Sequence, residues 1–236
     1  MKTILACVIL LASVTFAEVP KQTGSDQKAD GTALFNGKDL TGWDGNPKFW
    51  SVKDGTITGQ TTAENPTKGN TFLIWKSGTV KDFELRAKWR IQGGNSGIQY
   101  RSKDMGDWVV GGYQADMDGS NSFTGIMYEE RGRGIVAQVG QKVTVGEDGK
   151  PQESGKTGDA KEIKAAIHPA GEWNEYVITC KGNHLTQVLN GHTTVDITDN
   201  DTQRRAMEGI LALQLHAGPP MTVQFKDITL KVLDGK

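Results

Sequence analysis

Residues 82–101 read DFELRAKWRIQGGNSGIQYR. Phe83, Leu85, Ala87, Trp89 and Ile91 alternate with Glu84, Arg86, Lys88 and Arg90 without a break. A period of two puts the apolar set on one face of an extended strand and the charged set on the other. Gly93-Gly94-Asn95-Ser96-Gly97 then turns the chain, and Ile98-Gln99-Tyr100-Arg101 resumes the alternation. Glycine reaches positive φ without a steric penalty and lets a ligand come close to the backbone. Taken alone, the stretch reads as an ordinary hairpin with one solvated face. It also sets Gln99 and Arg101 side by side on a returning strand, where they could meet a ligand.

The same grammar recurs along the chain. Short alternating or apolar runs appear at 49–53, 56–59, 71–75, 83–91, 97–101, 112–117, 125–129, 135–139 and 141–145, then at 175–181, 185–189, 193–197, 209–216 and 222–232. Thirty glycines, most of them between these runs, punctuate many tight turns. The expected helices are short, at 160–166 and 202–207. The class is all-β, and a sandwich of two antiparallel sheets accommodates it. In the last run, Val223 and Phe225 fall on odd positions but Ile228, Leu230 and Val232 on even ones. One extra residue near Lys226-Asp227 restores the buried face, which predicts a β-bulge there. Residues 146–160 hold no apolar periodicity and read as an exposed loop.

The ends bound the rest. Met1-Lys2-Thr3 precedes an apolar run from Ile4 to Phe16, and Ala17 follows. This is the pattern of a secretory signal peptide at residues 1–17, with cleavage after Ala17, and the run is short for a membrane span. Cys7 stands at the front of that run, where lipidation would leave almost no signal. Residues 18–31 are polar and unpatterned and read as a flexible lead-in, leaving one domain at 32–236. Cys180 is then the one cysteine of the mature chain, so its core must hold it together without an internal disulfide. Export without disulfides suits a bacterial periplasm or cell surface. A net charge of −1 with no basic block argues against nucleic-acid partners.

Motifs for familiar chemistries are missing. The four histidines, His168, His184, His192 and His216, form no close pair, so no metal site or cofactor is expected. There is no GxSxG element. What does stand out is a repetition of planar polar residues on consecutive strands. Gln99 and Arg101 share a face, as do Gln114 and Asp116, and as do Gln214 and His216. Tyr128-Glu129-Glu130-Arg131 adds carboxylates, Glu129 among them, and Tyr100, Trp108, Tyr113 and Trp43 are candidate aromatic platforms. Planar polar groups beside an aromatic surface suit a carbohydrate cleft, although a solvated sheet face would look the same.

Leu34-Phe35-Asn36-Gly37-Lys38-Asp39-Leu40-Thr41-Gly42-Trp43 resembles the opening motif of the secreted bacterial 3-keto-disaccharide hydrolase domain family. The resemblance continues through 50–57, Asp82-Phe83-Glu84-Leu85, Gly93–Ile98 with Arg101, Gly112-Tyr113-Gln114 with Asp116, Gly171-Glu172-Trp173-Asn174, Asn190-Gly191, 209–218 and 223–228. It implies a concanavalin-like jelly roll and cleavage of glycosides already oxidised at C3. For that chemistry, their place on the polar faces and within the motifs makes Asp116 or His216 the expected base and Arg101, with Gln99 or Gln114, the expected stabiliser of an enolate. Tyr113, Gln114, Glu129 and Gln214 complete the expected binding set. Gln114 departs from the commoner Gly-Tyr-Glu pattern, so a carboxylate needed there would have to come from Asp116 or Glu129. A lectin-like, non-catalytic sugar-binding domain is the rival reading, since fold alone does not settle function. Ordinary hydrolysis by two carboxylates ranks behind both.

Overall fold

A computed structural model describes residues 31–233. The expected signal peptide and nearly all of the lead-in lie outside the described residues. In chain order the strands are β1 (Thr32–Ala33), β2 (Trp43–Asp44), β3 (Trp50–Lys53), β4 (Thr56–Thr61), β5 (Thr71–Trp75), β6 (Phe83–Gln92), β7 (Asn95–Asp104), β8 (Val110–Asp118) and β9 (Met127–Glu130). They continue as β10 (Gly134–Ala137), β11 (Gln141–Val145), β12 (Pro151–Lys156), β13 (Asn174–Lys181), β14 (His184–Leu189), β15 (His192–Asp199), β16 (Ile210–Leu215) and β17 (Met221–Val232).

These strands form two facing sheets of a jelly-roll sandwich. One runs β12-β11-β15-β14-β13-β6-β17-β4-β3, with β1 added on β17; the other runs β10-β9-β8-β7-β16-β5-β2. The alternation in β6 does what its spacing dictates. Phe83, Leu85, Ala87, Trp89 and Ile91 are buried between the sheets, and the intervening charged residues are half-exposed. One continuous apolar cluster runs from Leu34 to Leu230 and includes Cys180, which is fully buried. Trp89 stacks on Tyr176 within it, ring centroids 5.8 Å apart.

The bulge in β17 is present. Its register against β6 jumps from Lys226↔Lys88 to Thr229↔Arg86, and Asp227 takes φ 50°. Phe225 and Ile228 are therefore both buried. Three expectations need correction. The sheets are not wholly antiparallel, because β11 runs parallel to β15. Residues 151–156, expected in a loop, form edge strand β12. That strand is exposed on both faces and is held by backbone pairing to β11, so no apolar pattern could announce it. Of the two expected helices, Ala160–Ala165 forms, capped by the Asp159 side chain, whereas residues 202–207 make turns.

Phe225 is completely buried in the middle of this core. Phe225→Ala should cost about 3–5 kcal/mol, read as a lower midpoint in urea unfolding with an unchanged slope.

Candidate active site

The candidate site sits on the outer face of the seven-stranded sheet, and β8 shows how it is made. Tyr113, Ala115 and Met117 point into the sandwich, so Gln114, Asp116 and Asp118 face away from it. A cleft of ≈ 450 Å³ opens over that face, within the range of small-ligand sites. Its walls include Asn70, Asn95, Gln114, Asp116, Tyr128, Glu130, Gln214 and His216. At its rim stand Phe123 and Ile135, large apolar side chains that are 49% and 40% exposed.

A row of amides crosses the floor. Ser102 Oγ donates to Gln99 Oε1 at 2.6 Å, and Gln99 Nε2 donates to Gln114 Oε1 at 2.8 Å. Gln114 Nε2 then donates to Asp116 Oδ1 at 3.3 Å and to Gln214 Oε1 at 3.4 Å. Gln214 Nε2 in turn donates to Glu130 Oε2 at 3.2 Å. Asn95 Nδ2 gives Asp116 Oδ1 a second amide bond at 3.1 Å. Once Gln99 Nε2 occupies one side of the row, the direction of each later amide follows from its partner's donor or acceptor character. Gly97, paired with Asp116 across the hairpin, makes room for this row, since a β-carbon there would lie 2.4 Å from Gln114 Cγ and Cδ.

Burial raises the Asp116 carboxyl from an ordinary 3.8 to about 7. The amide bonds from Asn95 and Gln114 oppose the rise and the nearby Asp118 charge adds to it. Desolvation disfavours the anion, and two neutral donors recover only part of that cost. Asp118 shifts the other way: burial would raise it too, but bonds from Ser120, the Phe123 and Ser122 amides and Thr124 outweigh burial and hold it low. These bonds also shape the loop carrying Phe123. His216 Nδ1 lies 2.5 Å from the Ala217 carbonyl oxygen. A carbonyl only accepts, so Nδ1 carries a proton and Nε2 is the nitrogen left for other work.

Of the residues expected at the site, Gln114, Asp116, Gln214 and His216 line the cleft, and Gln99 lies directly behind Gln114. Arg101, Tyr113 and Glu129 do not line it. The β7–β8 register shifts between Tyr100 and Lys103, and Arg101 takes φ 46°. That irregularity breaks the alternation and sends the guanidinium to the Lys81 and Gly182 carbonyls, both at 2.7 Å, and to Asp82 Oδ1 at 3.1 Å. Tyr113 faces the core, where its hydroxyl donates to Asp199 at 2.6 Å. Glu129 pairs with Tyr113 across β8–β9 and so shares its face, meeting Arg133 there. The same register puts its neighbours Tyr128 and Glu130 on the cleft face. Asn70 and Asn95 were not among the expected site residues, and Tyr128 and Glu130 stand in the carboxylate-bearing stretch of which Glu129 was the residue expected at the site. The parity of β9 against β8 was the only signal that could have found Tyr128 and Glu130.

Two substitutions test this geometry. Arg101→Ala removes a fully buried guanidinium from Asp82 and from three part-buried carbonyls, and should cost about 3 kcal/mol in stability, measured by denaturant unfolding. Gly97→Ala should push Gln114 off Asp116, leaving the fold intact and moving the Asp116 pKa above 7, as read by NMR titration of the carboxyl carbon. An unmoved pKa would mean that the amide row absorbs the methyl group.

Comparison with solved structures supports the architecture. A crystal structure of a "putative glycosyl hydrolase" from Parabacteroides distasonis ATCC 8503 aligns with a TM-score of 0.58 at 22% identity, covering 89% of this chain and 97% of that one. A second structure of that description from the same organism aligns at 0.55 and 18% identity, over 86% and 98% of the two chains. Carbohydrate binding module CBM66 from Bacillus subtilis aligns at 0.54 and 15% identity, over 80% and 95%. At these identities the likeness is one of fold, shared by proteins described as hydrolases and as binding modules. No curated protein matches the chain. The sequence profile of one family does match, over residues 30–231, which takes in the sandwich and every residue of the cleft. The chain belongs to the family described as the 3-keto-alpha-glucoside-1,2-lyase-like domain.

Proposed function

We propose that this protein cleaves 3-keto-glycosides by elimination, with Asp116 as the base. The observation that carries the reading is a buried carboxyl with a pKa near 7 in a sugar-sized cleft of a chain from this family. A general base works best when its pKa lies close to the working pH. Both amide bonds fall on Asp116 Oδ1, which leaves Oδ2 to approach the substrate.

The ketone at C3 acidifies the proton on C2. Asp116 takes that proton, and the electron pair of the broken C–H bond moves into an enolate with its charge on the C3 oxygen. Collapse of the enolate restores the ketone, forms the C1–C2 double bond and expels the glycosidic oxygen, which takes up a proton and leaves as an alcohol. Addition of water, hydroxyl to C1 and hydrogen to C2, completes a net hydrolysis; without it the reaction is that of a lyase. The enolate needs donors aimed at its oxygen. His216 Nε2 and the Tyr128 hydroxyl serve this role better than Arg101, whose guanidinium is committed to Asp82 and three backbone carbonyls. The same groups can protonate the departing oxygen. The Lys2-to-Ala17 segment supports placing this chemistry in an exported, secreted or periplasmic protein.

A second reading has one observation in its favour. Asp116 and Glu130 share the cleft, and a pair of carboxyl groups could hydrolyse an unoxidised glycoside. A purely sugar-binding role would give affinity without turnover. Matched assays on a glucoside and its 3-keto derivative separate all three, and cleavage of the plain glucoside alone would rule out elimination. On the 3-keto substrate kcat/KM should rise with pH and level off above about 7, and Asp116→Asn should lower it at least about a hundredfold. Stability should run oppositely. A raised carboxyl pKa favours the fold below 3.8, and that contribution is lost as pH rises through about 7. Asp116→Asn should therefore be more stable than the parent at pH 8 and match it near pH 3, as read by thermal melts.

A further inference from the structure

The outer face of the larger sheet, on the far side of the sandwich from the cleft, carries polar rows of its own. Gln60, Thr222 and Gln92 stand side by side on β4, β17 and β6, and Thr58, Gln224 and Arg90 form the next row. Gln224 Nε2 donates to Thr56 Oγ1 at 2.9 Å and to Thr58 Oγ1 at 3.0 Å. The amide is thereby oriented, and its Oε1 accepts from Arg90 Nε at 2.8 Å. The Arg90 guanidinium also lies over the Trp173 ring, 4.7 Å from its centroid. A bond at Nε and a stacked face fix the plane of the guanidinium and leave its Nη1–Nη2 edge to a ligand. A notch of ≈ 140 Å³ opens there, and its lining includes Arg90, Gln92, Gly171, Thr222 and Gln224.

The charge around this notch is unbalanced. Lys226 Nζ lies over the same indole, 4.3 Å from the centroid, so two cations share one ring. The carboxylates of the face are engaged elsewhere. Glu84 pairs with Arg86 at 2.9 Å, Asp227 pairs with Lys88 at 3.0 Å, and Glu175 stands opposite Lys88 in the register. Glu172 precedes Trp173 and is exposed. Among the described residues no carboxylate forms an ion pair with Arg90 or Lys226. Lys226 also sits directly opposite Lys88, and like charges so placed destabilise a strand pair. The whole chain carries a net charge of −1, so the positive excess is local. The indole attracts each cation but does not cancel their repulsion, which an anion beside them does.

We propose that this notch binds a carboxylate of a uronic-acid glycan and so docks the protein on an acidic polysaccharide, leaving the cleft on the other sheet open. The Nη1–Nη2 edge of Arg90 matches the two oxygens of a carboxylate, and Lys226 adds a second positive charge. Gln92 and Thr222 beside it supply an amide and a hydroxyl for the hydroxyls of the sugar ring. Surfaces that dock on membranes set apolar side chains beside their cations, whereas amides and hydroxyls flank these. The docking site is independent of the chemistry proposed for Asp116.

Affinity gel electrophoresis tests the proposal with three embedded polymers: polygalacturonate, its methyl ester and dextran sulfate. Polygalacturonate should retard the protein and the ester, which lacks the charge, should not. Arg90→Gln with Lys226→Gln should weaken retardation about tenfold or more. Lys226→Gln alone, which breaks no printed hydrogen bond of the fold, should weaken it several-fold at an unchanged melting temperature. Lys226→Arg should keep binding, and Arg90→Lys should lose most of it, because an ammonium lacks the two-pronged edge. Asp116→Asn should bind like the parent. No retardation by polygalacturonate overturns the proposal, as does retardation that survives esterification or the paired Gln exchange. Equal retardation by dextran sulfate overturns the carboxylate assignment and reduces the face to a general polyanion patch. Binding to phosphatidylglycerol vesicles in place of polygalacturonate overturns the glycan, and loss of binding in Asp116→Asn moves the polymer to the cleft and overturns the docking site.

Discussion

The site depends on hydrogen bonds that reach β8 through the core. Tyr176, on the opposite sheet, donates its hydroxyl to the Asp116 carbonyl at 2.6 Å. Gln187, also on that sheet, donates to the Tyr100 hydroxyl at 2.9 Å and reaches the Gln114 carbonyl at 3.4 Å. These groups are buried, and a buried polar group without its partner costs more than the bond itself is worth. The core therefore fixes the backbone beneath both cleft residues, with Trp89 stacked on Tyr176 to hold the hydroxyl in place. A carboxyl on so constrained a backbone cannot swing out to water. Burial is the main cause of its raised pKa, and the constrained backbone keeps it buried.

On the outer side, the glutamines do a job that carboxylates could not. Gln114 accepts from Gln99 and donates to both Asp116 and Gln214, which a carboxylate, having no donor, cannot do. A glutamate at position 114 would set another negative charge beside Asp116, with Asp118 already near. It would drive the base's pKa higher still or become protonated itself. The departure from the commoner Gly-Tyr-Glu pattern is thus consistent with the rest of this row, in which neutral amides separate Asp116 from Glu130. Members with glutamate at that position would need a different set of partners around it.

Much of this was legible in the sequence wherever period-two alternation held. The faces of β6 and β8 follow from it, and so do the burial of Cys180 and the bulge at Asp227, where two sets of apolar residues had opposite parity. Gln114, Asp116 and Gln214 could be grouped because each lies on a strand, and His216 because it directly follows β16. Arg101 could not be placed, because its own positive φ ends the alternation at that residue. Glu129 and Glu130 are indistinguishable by composition, and only the pairing of Tyr113 with Glu129 turns one inward and the other to the cleft. Edge strand β12 was missed for a different reason: it buries nothing, so it leaves no pattern.

The sequence by itself determined an all-β sandwich, the family, and the polar identity of the cleft strands, because burial of one strand face is written directly into residue order. The tertiary structure decided which strands neighbour one another, and with that which polar residues converge. β16 lies beside β7 although more than a hundred residues separate them, and that long-range pairing brings Gln214 and His216 to Gln114 and Asp116. It also decided that Asp116 is desolvated while Asp118, two residues on, is held ionised by its own loop. Local sequence encodes which face a side chain takes. The environment that sets its chemistry comes from segments far away in the chain.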